Sequence, residues 1–248
     1  MLITGIIPAR YASSRFPGKP LAEIGGKPMI QLVYEKVKPA LESVYVATDD
    51  ERIANVVHGF KGRVIMTSAD HRSGTERCAE AVSYIRSEQG FNPDVIINIQ
   101  GDEPFIKPGQ INQLCSCFDD NSVEIATLVK KITDLDDLKN PNKPKVVRDL
   151  NEYALYFSRS AIPFTESSVS NCKGNETAYF KHIGIYGYRT DTLLKISMLT
   201  PSPLEIAESL EQNRWLENGF KIKTVVTQWE SIGIDTPDDL EYAKLLLM

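Results

Sequence analysis

The chain has 248 residues, a net charge of −5, 42% hydrophobic residues and 25% charged ones. That is the balance of a globular protein with enough chain for a sizeable core, and its acidic sign excludes a general nucleic-acid or membrane-surface binder. No uncharged apolar run approaches the roughly 20 residues that span a bilayer, and the opening MLITGIIPAR lacks the basic region of a signal peptide, so a cytoplasmic protein is expected.

In chain order, residues 3–8 read as a first strand. The segment ARYASSRFPGKP follows, setting Arg10, Arg15 and Lys19 among small residues. It is neither a G-x-x-x-x-G-K-[ST] phosphate loop, because Pro20 follows Gly18-Lys19, nor a G-x-G-x-x-G fingerprint. Two guanidinium forks and an ammonium suit a triphosphate. A helix is predicted over 29–37, a strand over 43–48, a helix over 49–60 and a strand over 63–67. The segment SADHRSGTER then opens a helix over 75–88, with Ser73 and Glu76 spaced as a capping box. Residues 94–99 form a continuously apolar fourth strand, as a strand buried on both faces should be, and end abruptly in QGDEP.

This alternation predicts right-handed βαβ units around a mainly parallel sheet. Ligands of such sheets sit beyond the carboxyl ends of the strands, so the segments after the first four strands should converge on one rim. Asp102, placed there, is costly to bury without a cation and suits Mg²⁺, with Glu103 expected to point elsewhere. From about residue 123 the texture turns aromatic. Strands are predicted over 124–132, 145–147, 153–158 and 182–188, with a mobile loop over 165–177. A helix over 204–218, a strand over 221–228 and a helix over 237–247 end the chain, the last one following Asp235. The whole reads as one domain, residues 1–248, in which about 123–190 form a smaller, partly antiparallel insertion. Cys78, Cys115, Cys117 and Cys172 lack metal or redox spacing and are expected as reduced thiols.

IIPARYASSRFPGKPL, ATDDERI, SGTER, NIQGDEP, ALYFSRSAIPF, HIGIYGYR, SPLEIAESLEQNRWLENG and GIDTPDDL occur in this order. Together they resemble the 3-deoxy-D-manno-octulosonate cytidylyltransferase (CMP-Kdo synthetase) family over almost the whole chain. The resemblance implies a Rossmann-like nucleotidyltransferase fold and the reaction of CTP with Kdo to give CMP-Kdo and diphosphate for lipopolysaccharide assembly. It implies contacts to CTP from Arg10, Ser14, Arg15, Lys19, Ser73 and Gln100, with Arg15 and Lys19 on the phosphates. Mg²⁺ would be held by Asp102 and Asp235, and Kdo surrounded by Arg77, Arg159, His182, Tyr186, Glu211 and Gln212. The implied assembly is a homodimer built largely on the central insertion. Lys19, Arg15, Asp102 and Asp235 are the expected catalytic set, acting by positioning and charge neutralisation. The segment QWESI before GIDTPDD departs from the family, whose members often carry a glycine- or proline-containing linker there. Two other readings remain: a cytidylyltransferase for a related sugar acid such as 8-amino-Kdo or a sialic acid, and a non-catalytic nucleotide sensor.

Overall fold

The computed structural model describes residues 1–12, 15–165, 179–230 and 232–246. Ser14, Cys172 and nearly all of the loop expected over 165–177 lie outside them.

Four apolar runs become parallel strands, β1 (Ile3–Ala9), β4 (Ser43–Thr48), β5 (Val64–Met66) and β6 (Val95–Asn98). Apart from the edge strand β5, whose Met66 is exposed, their side chains are almost wholly buried because helices cover both faces. On one side α1 (Met29–Val37), α2 (Glu51–Gly59) and α4 (Pro108–Ser116) enclose Ile30, Val33, Val46, Ile53, Ile97 and Ile111. On the other, α3 (Gly74–Glu88) and α6 (Thr190–Ser197) cover Ile6, Ala47, Val82, Ile96 and Ile196. A short hairpin, β2 (Glu23–Ile24) with β3 (Lys27–Pro28), stands outside this sheet.

The segment expected as a partly antiparallel insertion shares the main sheet. β7 (Ile125–Lys131) and β10 (Phe180–Arg189) lie inside the nine-stranded sheet, whose order is β11-β7-β10-β6-β1-β4-β5, where β11 is Ile222–Val226. β10 runs antiparallel to both its neighbours, joining Tyr186 to Asn98 on β6 and to Thr127 on β7. Only β8 (Lys145–Arg148) and β9 (Ala154–Ser158) branch from this path, past the short helix α5 (Leu135–Lys139).

The helix expected over 204–218 is corrected. It divides into α7 (Pro203–Glu208) and α8 (Glu211–Glu217), with Ser209 between them at φ 52°. The β9 end holds the break open. Glu208 accepts from Ser158 Oγ (2.6 Å), Tyr156 Oη (3.1 Å) and the Arg159 N–H (2.9 Å). The carbonyls of Glu208 and Ser209 accept from the Arg159 guanidinium, which a continuous helix would prevent. The C-terminal helix α9 (Pro237–Leu245) begins in a capping box in which Asp239 accepts from the Thr236 N–H at 2.9 Å. Cys78, Cys115 and Cys117 are free; burial pushes the last two up to about 11, leaving them inert thiols at neutral pH. Among the described residues no helix is long and apolar enough to cross a membrane.

Candidate active site

The segments after β1, β5 and β6 do meet, around a cavity of about 270 Å³. Each is held by identifiable local chemistry. After β1 the chain closes on itself, the Gly18 N–H donating to the Tyr11 carbonyl at 2.9 Å. Gly18 has φ +71°, and a side chain there would lie 3.1 Å from the Tyr11 ring, so glycine is required. The Arg52 guanidinium, gripped by Asp50, stacks on the other part of that ring at 3.3 Å. This closure directs Arg10, Arg15 and Lys19 to the cavity.

After β5, two carboxylates one turn apart on α3 hold the loop. Glu76 accepts from the Arg72 N–H (2.7 Å), and Glu80 accepts from the Ser68 N–H (2.8 Å) and meets His71 Nε2. Ser73 caps the helix by accepting from the Glu76 N–H, but Glu76 reaches back to Arg72 rather than to Ser73 as the box pattern implies. The N-terminal amides of α3 thereby face the cavity, together with His71 and Arg72. Neither of those two was singled out from sequence; their signal was position, between a buried strand and a helix start.

After β6, Gly101 lets the chain pass close to β1, since a Cβ there would lie 3.0 Å from the Pro8 carbonyl. Gln100 and Asp102 then line the cavity, whereas Glu103 does not, being buried near Gly184. Asp235 arrives from the far end of the sequence because the Ile234 N–H donates to the Asp102 carbonyl at 2.9 Å. Ile234 is itself buried with Ile24, Met29 and Leu240. Lys19 Nζ lies between the two carboxylates, 2.5 Å from Asp102 and 3.2 Å from Asp235, and Arg15 reaches Asp235 at 3.1 Å.

Every described residue of the expected CTP and metal sets therefore lines one cavity; Ser14 lies outside the described residues. Of the expected sugar set only Arg77 lines it, buried and paired with Thr67 Oγ1 (2.6 Å) and Asp49 (3.3 Å). His182, Tyr186, Glu211 and Gln212 form an adjoining cluster with Tyr188 and Trp215. Thr75, in the first turn of α3, ties it to the rim by donating to Glu211 at 2.8 Å. Burial raises the Glu211 carboxyl above its ordinary range against hydrogen bonds from Thr75 and Ser73. The buried Tyr186 Oη and Gln212 Nε2 have no hydrogen-bond partner among the described residues, an arrangement suited to a polyhydroxylated guest. Arg159 stands apart: Nε, Nη1 and Nη2 each donate to a main-chain carbonyl, of Glu208, Pro141 and Ser209.

Burial alone pushes His182 down to about 3, so it is a neutral imidazole at neutral pH. The sign for stability follows. Below about 6.5 the unfolded chain takes up a proton that the native state refuses until about pH 3, so stability falls as pH drops through that window. Urea denaturation between pH 7.5 and 4.5 should show a steeper loss in the native protein than in His182→Gln, the difference reaching a few kcal/mol (about 1.4 per pK unit). Equal slopes would refute it.

A mainly parallel sheet with a cationic loop and paired carboxylates at its carboxyl rim is the arrangement of a nucleotidyltransferase. A family model described as cytidylyltransferase matches residues 4–223. The chain is 56% identical to the 3-deoxy-manno-octulosonate cytidylyltransferase of Parabacteroides distasonis, covering 100% of this chain and 98% of that one. It is 50% identical to the enzyme of the same name from Geobacter sulfurreducens, with 97% of each covered. Among solved structures, a CMP:2-keto-3-deoxy-manno-octonic acid synthetase complexed with CTP matches with a TM-score of 0.89 at 42% identity, covering 100% of this chain and 98% of that one. A 4-diphosphocytidyl-2C-methyl-D-erythritol synthase from Anaerococcus prevotii, 13% identical with a TM-score of 0.64 over 99% and 96% of the chains, shares the fold. This chain belongs to the 3-deoxy-manno-octulosonate cytidylyltransferase family.

Proposed function

We propose that the protein transfers CMP from CTP to 3-deoxy-D-manno-octulosonate, releasing diphosphate. The observation that carries this reading is the meeting of Arg10, Arg15 and Lys19 with Asp102 and Asp235 across one cavity at the sheet's carboxyl rim.

In this reading the 2-hydroxyl of Kdo attacks the α-phosphorus in line, forming a P–O bond as the bond to diphosphate breaks. Arg15 and Lys19 hold the phosphates and neutralise the charge that gathers on the leaving group. Arg10, Ser14, Ser73 and Gln100 position the rest of CTP. Arg77, His182, Tyr186, Glu211 and Gln212 orient the sugar. Arg159 answers the sugar's carboxylate with the two of its five N–H groups not engaged by carbonyls.

Asp102 and Asp235 are proposed to hold Mg²⁺. Their chemistry fits: both converge on a single cationic nitrogen, and no third His, Cys, Asp or Glu joins them among the described residues. Mg²⁺ takes one or two carboxylates and leaves its other positions to water and phosphate oxygens. When bound it supplies charge neutralisation at the α-phosphate and acidifies the attacking hydroxyl.

The test is Mg²⁺-dependent diphosphate release from CTP with Kdo, 8-amino-Kdo or N-acetylneuraminate. Release with Kdo above the other two is expected. Faster release with another acid would reassign the sugar, and release with none would leave a nucleotide sensor. A cytoplasmic homodimer serving lipopolysaccharide assembly belongs to the same proposal. Leu150 and Leu155 in the β8–β9 hairpin and Phe164 beyond it are exposed apolar side chains that a second copy would cover. A monomer by light scattering at micromolar concentration would refute the dimer.

A further inference from the structure

The segment between β11 and Asp235 contains QWESI and is anchored to the body at several separate points. The Thr227 N–H donates to the Val129 carbonyl at 2.8 Å. The Trp229 indole lies flush against Gly109 in the first turn of α4, where an added Cβ would stand 2.4 Å from the ring. Glu230 reaches two lysines of adjacent strands, Lys130 on β7 at 2.6 Å and Lys181 on β10. Beyond these points the Ile234 N–H meets the Asp102 carbonyl, and Asp235 follows.

Lys181 explains why Glu230 belongs there. Its side chain is 5% exposed and lies between Asp137, at 2.5 Å, and Glu230, while Asp137 also pairs with Lys143. Burial by itself would lower the Lys181 ammonium; its two carboxylates outweigh that and hold it above its ordinary range. A buried ammonium demands counter-charge. The result is a chain of alternating charge, Lys143–Asp137–Lys181–Glu230–Lys130, in which Glu230 alone belongs to the segment that carries Asp235. The partly exposed ion pairs contribute little to stability on the scale of a whole domain. Their geometric effect is larger: Glu230 sits five positions before Asp235, a reach of about 17 Å at most, so where Glu230 is held bounds where Asp235 can be presented.

We propose that Glu230 and Trp229 are positioning residues for Asp235: the Lys130–Glu230–Lys181 bridge and the Trp229–Gly109 contact set where the C-terminal segment presents its carboxylate beside Asp102. This rests on the reading of Asp235 as a residue that holds the divalent ion. The two anchors are chemically unrelated, one ionic and one apolar, and each can be removed without touching the cavity.

The test compares Glu230→Gln and Gly109→Ala with Lys143→Gln, which cuts the same charge chain at its far end, and with Asp235→Asn. Mn²⁺ binding in the presence of CTP, read from the free-ion paramagnetic resonance signal, is measured beside the Mg²⁺ half-saturation of diphosphate release and the melting temperature. Glu230→Gln and Gly109→Ala should each weaken Mn²⁺ binding and raise the Mg²⁺ requirement by about tenfold, as outer-shell substitutions do. Turnover at saturating Mg²⁺ should stay close to the parent's, and Lys143→Gln should bind Mn²⁺ as the parent does. If Asp235→Asn weakens Mn²⁺ binding while Glu230→Gln and Gly109→Ala do not, the positioning role is overturned and the reading of Asp235 stands. An equal loss in Lys143→Gln would reduce the effect to general destabilisation and overturn it too. Normal Mn²⁺ binding by Asp235→Asn would remove the reading itself, and the proposal with it.

Discussion

Asp102→Asn should lower turnover by roughly a thousandfold or more, while CTP binds within about tenfold of the parent affinity. A divalent ion held by this carboxylate would supply several kcal/mol of charge stabilisation in the transition state, and each 1.36 kcal/mol is a factor of ten in rate. The substitution is a clean one. Asparagine keeps the shape, and the main-chain bond from the Ile234 N–H to the residue 102 carbonyl does not depend on the side chain. Lys19 loses its 2.5 Å partner but retains Asp235. Nucleotide affinity should survive because Arg10, Arg15, Arg72 and the start of α3 are untouched. Steady-state diphosphate release against calorimetric CTP binding separates the two effects. Near-normal turnover would refute the assignment of Asp102, as would a loss confined to CTP affinity.

Asp102 was legible in sequence because of contrast: an apolar strand wholly buried in the sheet gives way within a few residues to a carboxylate. The same logic exposed Arg10, Arg15 and Lys19 after β1. It applies wherever a strand's burial is continuous and its end is sudden, and it held for three of the four expected segments; the one after β4 does not line the cavity, Asp49 meeting Arg77 instead. Asp235 was readable as the acid closing an apolar run, but its meeting with Asp102 rests on contacts distant in sequence, the Ile234 N–H bond and the burial of Ile234 among them, which no local pattern encodes.

Other features were hidden for related reasons. Glu76 reads in sequence as the capping-box partner of Ser73 and Glu80 belongs to no motif, and only the fold reveals that they hold Arg72 and His71 against the cavity. The apolar spacing of residues 204–218 is that of a single helix; Ser209 breaks it because Arg159, just past the end of β9, claims the carbonyls. HIGIYGYR shows its strand character in its aromatics, yet nothing in it says that it inserts antiparallel between β6 and β7. Local order was legible and partner choice was not. The sugar side of the site depends most on partner choice, which is why the family resemblance, rather than residue chemistry, marked Tyr186, Glu211 and Gln212.

Lys19→Met should lower turnover by about a hundred- to a thousandfold, the range lost with one preorganised charge donor, and should do so with an opposite effect on metal binding. In the free protein the ammonium lies between Asp102 and Asp235, where a divalent ion would have to sit. Its side chain is 13% exposed, so water does not readily replace it there. In the proposed reaction this nitrogen must leave the carboxylates for the phosphates as the nucleotide arrives. Lys19 is thus a placeholder before binding and a phosphate ligand after it. Methionine keeps most of the stem and its packing while removing the charge, so the two carboxylates then face each other without their shared cation. Mn²⁺ added without CTP should bind Lys19→Met more tightly than the parent, while diphosphate release collapses. Paramagnetic resonance of free Mn²⁺ and the release assay, run on the same preparation, check both signs. A variant that loses turnover and Mn²⁺ affinity together would show that Lys19 supports the cation site rather than competing for it, and the exchange of partners would have to be abandoned.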